Sequence, residues 1–129
     1  MKRVEKGSTT KPRTVRIALV EQDDLIRTLV EHWLGEEGHS VKRVTPDALK
    51  RGNGFDLVIA NVPSPRSAGP LIRALRAMHR APLLLLSARI RRGQGSSVEL
   101  AAQLGVSAVL PKPFTRDELL AAVRSAMTD

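Results

Sequence analysis

The chain has 129 residues, 42% of them hydrophobic and only 2% aromatic, with a formal charge of +8. That length suits one domain with a proper core. The absence of cysteine excludes disulfides and thiolate metal sites, and the longest apolar run, Ala81 to Leu86, is far too short to cross a bilayer.

The charge is unevenly spread. Residues 1–14 hold Lys2, Arg3, Lys6, Lys11 and Arg13 against Glu5, which places half of the excess in a Gly/Ser/Thr-containing segment with almost nothing to bury. Residues 1–14 are therefore expected to be a disordered basic tail, and 15–129 the folded domain. A basic tail can touch nucleic acid or anionic lipid, although a solubilising leader is the simpler reading. The scarcity of aromatic residues argues against single-strand nucleic-acid binding, which uses stacking platforms. No apolar stretch follows the basic residues before Val15, so the segment does not read as a secretory signal. A chain without cysteine is compatible with a reducing cytoplasm, the expected location.

Val15 to Val20 is a short apolar run with one charge, a buried strand. Leu25, Ile26, Leu29, Val30, Trp33 and Leu34 recur at spacings of three and four, the stripe of an amphipathic helix. Gly35 or Gly38 ends it. His39 to Val44 is a weaker second strand. Thr45-Pro46-Asp47 opens a short helix that Gly52-Asn53-Gly54 stops. Phe55 to Ala60 is the third strand, followed by a loop with Pro63, Pro65 and Pro70, then a helix marked by Leu71, Ile72, Leu75 and Met78. Leu83 to Leu86 is a fourth strand without polar alternation, as in parallel sheets covered on both faces. A basic, glycine-containing loop spans 89–97. Val98, Leu100, Ala101 and Leu104 suggest a fourth helix ended by Gly105, and Val106 to Leu110 a fifth strand. The fifth helix starts with Thr115 and Glu118, a capping box, and Phe114 can staple onto Leu119.

Five repeats of strand then helix require crossovers and favour a doubly wound parallel α/β sheet. Ligands in such sheets sit at the carboxyl ends of the strands. Glu21 and Gln22 fall there after the first strand, Asn61 after the third, Ser87 after the fourth and Lys112 just after the fifth.

Several motifs in order now carry a resemblance. Val20-Glu21-Gln22-Asp23-Asp24-Leu25-Ile26-Arg27 is an acidic turn running into a helix, and Glu36-Glu37-Gly38-His39 a turn into the second strand. Pro65 and Gly69 lie four and eight residues beyond Asn61; Ser87-Ala88 and Lys112-Pro113-Phe114 complete the set. In these motifs residues 15–128 resemble a response-regulator receiver domain. The resemblance implies a flavodoxin-like (βα)5 fold with strand order 2-1-3-4-5. It also implies that two acids after the first strand and an acceptor aspartate hold a divalent metal, while a lysine and a hydroxyl contact the phosphoryl oxygens. By position those roles fall on Glu21, Gln22, Asn61, Lys112 and Ser87.

Two of the three metal-binding carboxylates are missing, because Gln22 and Asn61 are amides. A carboxamide is a poor nucleophile and accepts no phosphoryl group. Glu21 and Lys112 sum to zero charge, whereas magnesium prefers anionic oxygens and gives up its water reluctantly. No cofactor is expected, and magnesium binding is expected to be lost or very weak; Glu21 and Asp23 are the only candidate metal ligands. Asp24 is read as the cap of the first helix and Asp23 as a flanking charge. Val109 occupies the position of the family's switching aromatic residue, and it has no ring to swing. Lys112 is expected to pair with Glu21, and Asn61 to bridge Ser87, Lys112 and nearby main chain.

The expected function is an atypical receiver, a pseudo-receiver in two-component phosphorelay signalling that acts by phosphorylation-independent protein contact. No output domain is expected after Asp129, so its effect is expected to pass through a partner, such as a histidine kinase or a second regulator. Arg89, Arg91, Arg92 and Val109 mark the expected partner face, near the fourth helix. A monomer, or a homodimer through the fourth helix, fifth strand and fifth helix, fits the family. The alternative is a nucleic-acid or anionic-surface binding module using the basic tail and the Arg89–Arg92 loop, which salt dependence would reveal. An enzyme is not expected: there is no nucleophile–base pair and no phosphate-cradling glycine loop. His32, His39 and His79 lack metal-ligand spacing.

Overall fold

The computed structural model describes residues 14–45, 48, 54–62, 69–78, 81–88 and 97–128. The expected tail therefore lies outside the described residues save for Thr14, as do Arg89, Arg91, Arg92 and His79. In chain order the elements are β1 (Arg16–Val20), α1 (Asp24–Glu36), β2 (Ser40–Arg43), β3 (Leu57–Asn61), α2 (Gly69–Met78), β4 (Leu83–Ser87), α3 (Ser97–Leu104), β5 (Ala108–Pro111) and α4 (Arg116–Met127). The helix expected after Thr45 lies outside the described residues except at Ala48, whose amide donates to Thr45 Oγ1 at 3.1 Å. The α3 and α4 of the structure are thus the fourth and fifth expected helices.

All four strand pairings are parallel, in the order β2-β1-β3-β4-β5. This is the flavodoxin-like order 2-1-3-4-5. Strand parity assigns each side chain to a face. Ile17, Leu19, Leu57, Ile59, Leu84, Leu86 and Leu110 point to the side that α1 and α4 cover, through Val30, Leu34, Leu119, Leu120 and Val123. Ala18, Val20, Val58, Ala60, Leu83, Leu85 and Val109 point to the side of α2 and α3, against Ile72 and Ala101. Both faces are covered, which is why β4 can read Leu-Leu-Leu-Leu and still be buried at every position. Each such side chain contributes about 1.5–3 kcal/mol when removed from water. Among the described residues no helix is long and apolar enough to cross a membrane.

Local signals set the helix ends. After the C-cap Glu37, Gly38 takes φ +88°, His39 N–H donates to Leu34 O and Gly38 N–H to Gly35 O. That is a Schellman closure, so Gly38 and not Gly35 ends α1. α3 ends the same way at Gly105, φ +75°, with Val106 N–H on Ala101 O. The capping box of α4 is present, Thr115 and Glu118 each accepting the other's amide.

Three expectations need correction. Asp23, not Asp24, is the N-cap of α1: its Oδ1 accepts from Ile26 N–H at 3.0 Å. Asp24 is the first helical residue and pairs with Arg27. The helix therefore begins one residue earlier than the apolar stripe alone suggests. Leu25 leaves the stripe and is 67% exposed, because its neighbours Val30 and Leu34 fix the buried line. Val109 is 5% exposed and packs beneath the α2–α3 side, so parity removes it from any partner face.

Candidate functional site

The carboxyl ends of β1, β3, β4 and β5 bring Glu21, Gln22, Asn61, Ser87 and Lys112 together. Asn61 is the last residue of β3, paired in register with Leu86 of β4; Ser87 ends β4 beside Pro111. Beyond the strands the ladder runs on, with Lys112 N–H on Ser87 O at 2.9 Å and Val62 N–H on Leu86 O at 2.9 Å. These bonds fix the main chain on either side of the cluster.

Glu21 is the hub. Its side chain is fully buried, and Lys112 Nζ lies 2.7 Å from Oε1, an ion-pair contact without hydrogen-bond alignment. The other oxygen, Oε2, accepts from Asp23 N–H at 3.1 Å. Its main-chain carbonyl accepts from the Arg27 guanidinium at 3.3 Å. A buried carboxylate survives only when its charge is matched, and here lysine and an amide match it. The expected Glu21–Lys112 pair is present. The Lys112–Pro113 peptide is cis.

Asn61 has a partner that the sequence did not suggest. Its Nδ2 donates to Gln22 Oε1 at 3.1 Å, so the two strand-end amides bind each other. Two carboxylates in those places would repel, whereas an amide pair offers a donor to an acceptor. Ser87 is completely buried at the end of β4. Asp23 spends Oδ1 on the helix cap, and its side chain is directed to α1.

Arg27 is the site residue that sequence reasoning gave no role. It reaches from α1 to the Glu21 carbonyl and to Asp24, while its Nε is buried without a partner. The signal was its place one turn beyond the acidic residues, at i+3 from Asp24. Among the described residues there is no group of three or more His, Asp or Glu side chains able to hold a metal ion.

No protein-family model matches the chain. Among curated proteins it is 32% identical over 119 residues to the transcriptional regulatory protein CpxR of Escherichia coli (strain K12). The match takes in 87% of this chain and 49% of that protein, so the chain spans about half the length of the curated relatives it matches. Among solved structures it resembles a response regulator from Thermotoga maritima, with a TM-score of 0.74 and 21% identity over 91% of this chain and 100% of that one. It also resembles the receiver domain of a sensor histidine kinase from Pseudomonas aeruginosa PAO1, with a TM-score of 0.64 and 25% identity over the same shares. That structure has a magnesium ion coordinated in its active site cleft.

Proposed function

We propose that the chain is a member of the response-regulator receiver-domain family and, within two-component signalling, a pseudo-receiver working through protein contact without being phosphorylated. The family's role is that of a signalling module and not of an enzyme with its own substrate. The finer reading rests on one observation: the amide pair between Asn61 and Gln22 occupies the strand ends where the family keeps carboxylates. An amide oxygen at Asn61 is too weak a nucleophile for a phosphoryl donor, and its nitrogen lone pair is delocalised.

The donor set does not fit magnesium either. Among the described residues Glu21 is the one pocket carboxylate, and Lys112 and the Asp23 amide already engage both of its oxygens. To take a hard cation, the pocket would have to break that pair and leave an ammonium beside a dication. A partner reads such a domain by its surface; a histidine kinase or a second regulator is the class we propose.

The test is incubation with a small-molecule phosphodonor and magnesium, followed by intact-mass measurement. We expect no added phosphoryl group. A single addition would overturn the reading and identify a different acceptor.

A further inference from the structure

The amino end of β1 is fastened by two side chains. Val15 N–H donates to His39 Nδ1 at 3.2 Å, and Arg16 N–H donates to Asp56 Oδ2 at 2.9 Å. The carbonyls of the same two residues bind main chain, Val15 O accepting from Ser40 N–H at 3.0 Å and Arg16 O from Asp56 N–H at 2.7 Å. His39 immediately precedes β2, and Asp56 immediately precedes β3. The first residues of the central strand are therefore gripped from both flanks. Val15 is 5% exposed, so water is a poor substitute for the imidazole. The grip also explains a glycine: a Cβ at Gly38 would stand 3.0 Å from Thr14 Cγ2 and would need φ +88°.

An imidazole accepts at Nδ1 only when neutral, with its proton on Nε2. Protonation puts hydrogen on both nitrogens and turns the Val15 contact into donor against donor. We propose that His39 is a pH-operated latch on the first strand: neutral, it holds Val15 in the sheet; protonated, it lets go and moves the chain's exit point from Val15 toward Ile17. Residues 1–14, which carry half of the protein's excess charge, directly precede this point in the sequence.

The charged groups around the latch do not cancel the effect. Burial lowers the His39 pKa below its ordinary value, and the nearest opposing charge is Glu37 at the end of α1. Glu37 is itself taken by Arg116 of α4 at 3.1 Å, and Glu36 is shared by Arg116 and His32. From β1, the Arg16 guanidinium turns to the Gly54 carbonyl and the Phe55 ring; from β2, Arg43 is bound to Glu31. Because the folded-state pKa is depressed, the unfolded chain takes its proton first as pH falls. The latch's contribution is complete above the unfolded value, about 6.5, and is lost as pH drops through the folded one.

The experiment is amide hydrogen exchange read by NMR across the histidine range, with the His39 ring resonances followed in the same samples. The Val15 protection factor is expected to fall about tenfold per pH unit as pH drops below about 6.5, until the folded His39 itself titrates. In His39→Asn, whose Oδ1 stands where Nδ1 was and does not titrate, the Val15 fall should vanish. Asp56→Asn, which keeps an acceptor oxygen, should leave the fall in place. Constant Val15 protection through the His39 titration of the unmodified protein overturns the latch, as does an equal fall in His39→Asn. The first of these readings needs no variant to fold.

Discussion

Lys112 and Glu21 meet at 2.7 Å with side chains 13% and 0% exposed, which among the described residues makes each the other's counter-charge. Lys112→Met leaves the Glu21 carboxylate buried with a single amide and should cost about 3–5 kcal/mol of stability, as should Glu21→Leu for the stranded ammonium. The double substitution should cost much less than the sum, and urea unfolding of the four proteins measures the coupling. Equal and additive losses would show that the two groups do not depend on each other. This pairing was legible in the sequence, because both residues were assigned to carboxyl ends of strands, on the same edge of the sheet. The Asn61–Gln22 bond was not: several partners were within reach of a side chain that both donates and accepts. The cap was misplaced by one residue for a similar reason. Asp23 and Asp24 have the same chemistry, and only the backbone at Asp23, φ −79° and ψ 118°, distinguishes a cap from a first helical residue.

Helix α1 shows how far periodicity reaches. Its apolar residues mark a stripe, yet the stripe's upper end was drawn too wide. Val30 and Leu34 are completely buried, Ile26 and Trp33 pack at the margin, and Leu25 stands in solvent. Trp33 meets Phe114 edge to face at 6.4 Å between ring centroids, which ties α1 to the entrance of α4. On the other flank the bidentate pair of Glu31 with Arg43, at 2.5 and 2.8 Å, ties α1 to β2. Arg43 holds the Glu31 carboxyl below its usual range. Leu34→Ala should therefore cost about 2–5 kcal/mol, while Leu25→Ala stays within about 0.5 kcal/mol. Thermal or urea melts of the two variants decide this, and a costly Leu25→Ala would mean that this leucine is covered by something the single chain does not provide. The capping box of α4 and the glycine ends of α1 and α3 were all visible in advance, since each depends on residues within one turn of the terminus.

At the scale of the whole molecule, a pocket in which the Glu21 and Lys112 charges offset each other sits at one end of the sheet and the His39 and Asp56 clamps at the other. The pocket should fail to attract magnesium. Isothermal titration is expected to give no site with a dissociation constant below about 1 mM, equivalent to about −4 kcal/mol. A tighter site in the unmodified protein would mean that Glu21 can leave Lys112. The number, positions along the chain and apolar character of the strands, the parallel α/β class and the set of strand-end residues could all be read from the chain, because each is written in local periodicity, turn residues and spacing. The strand order 2-1-3-4-5 came only by resemblance, and the structure bears it out. Three things waited for the folded molecule: which amide binds which, that Val109 lies under a helix, and that His39 accepts a bond from a residue 24 positions away. Those depend on side chains meeting across strands that are distant in the sequence. Composition and periodicity report a residue's own surroundings along the chain, and only the closed sheet decides what stands opposite it.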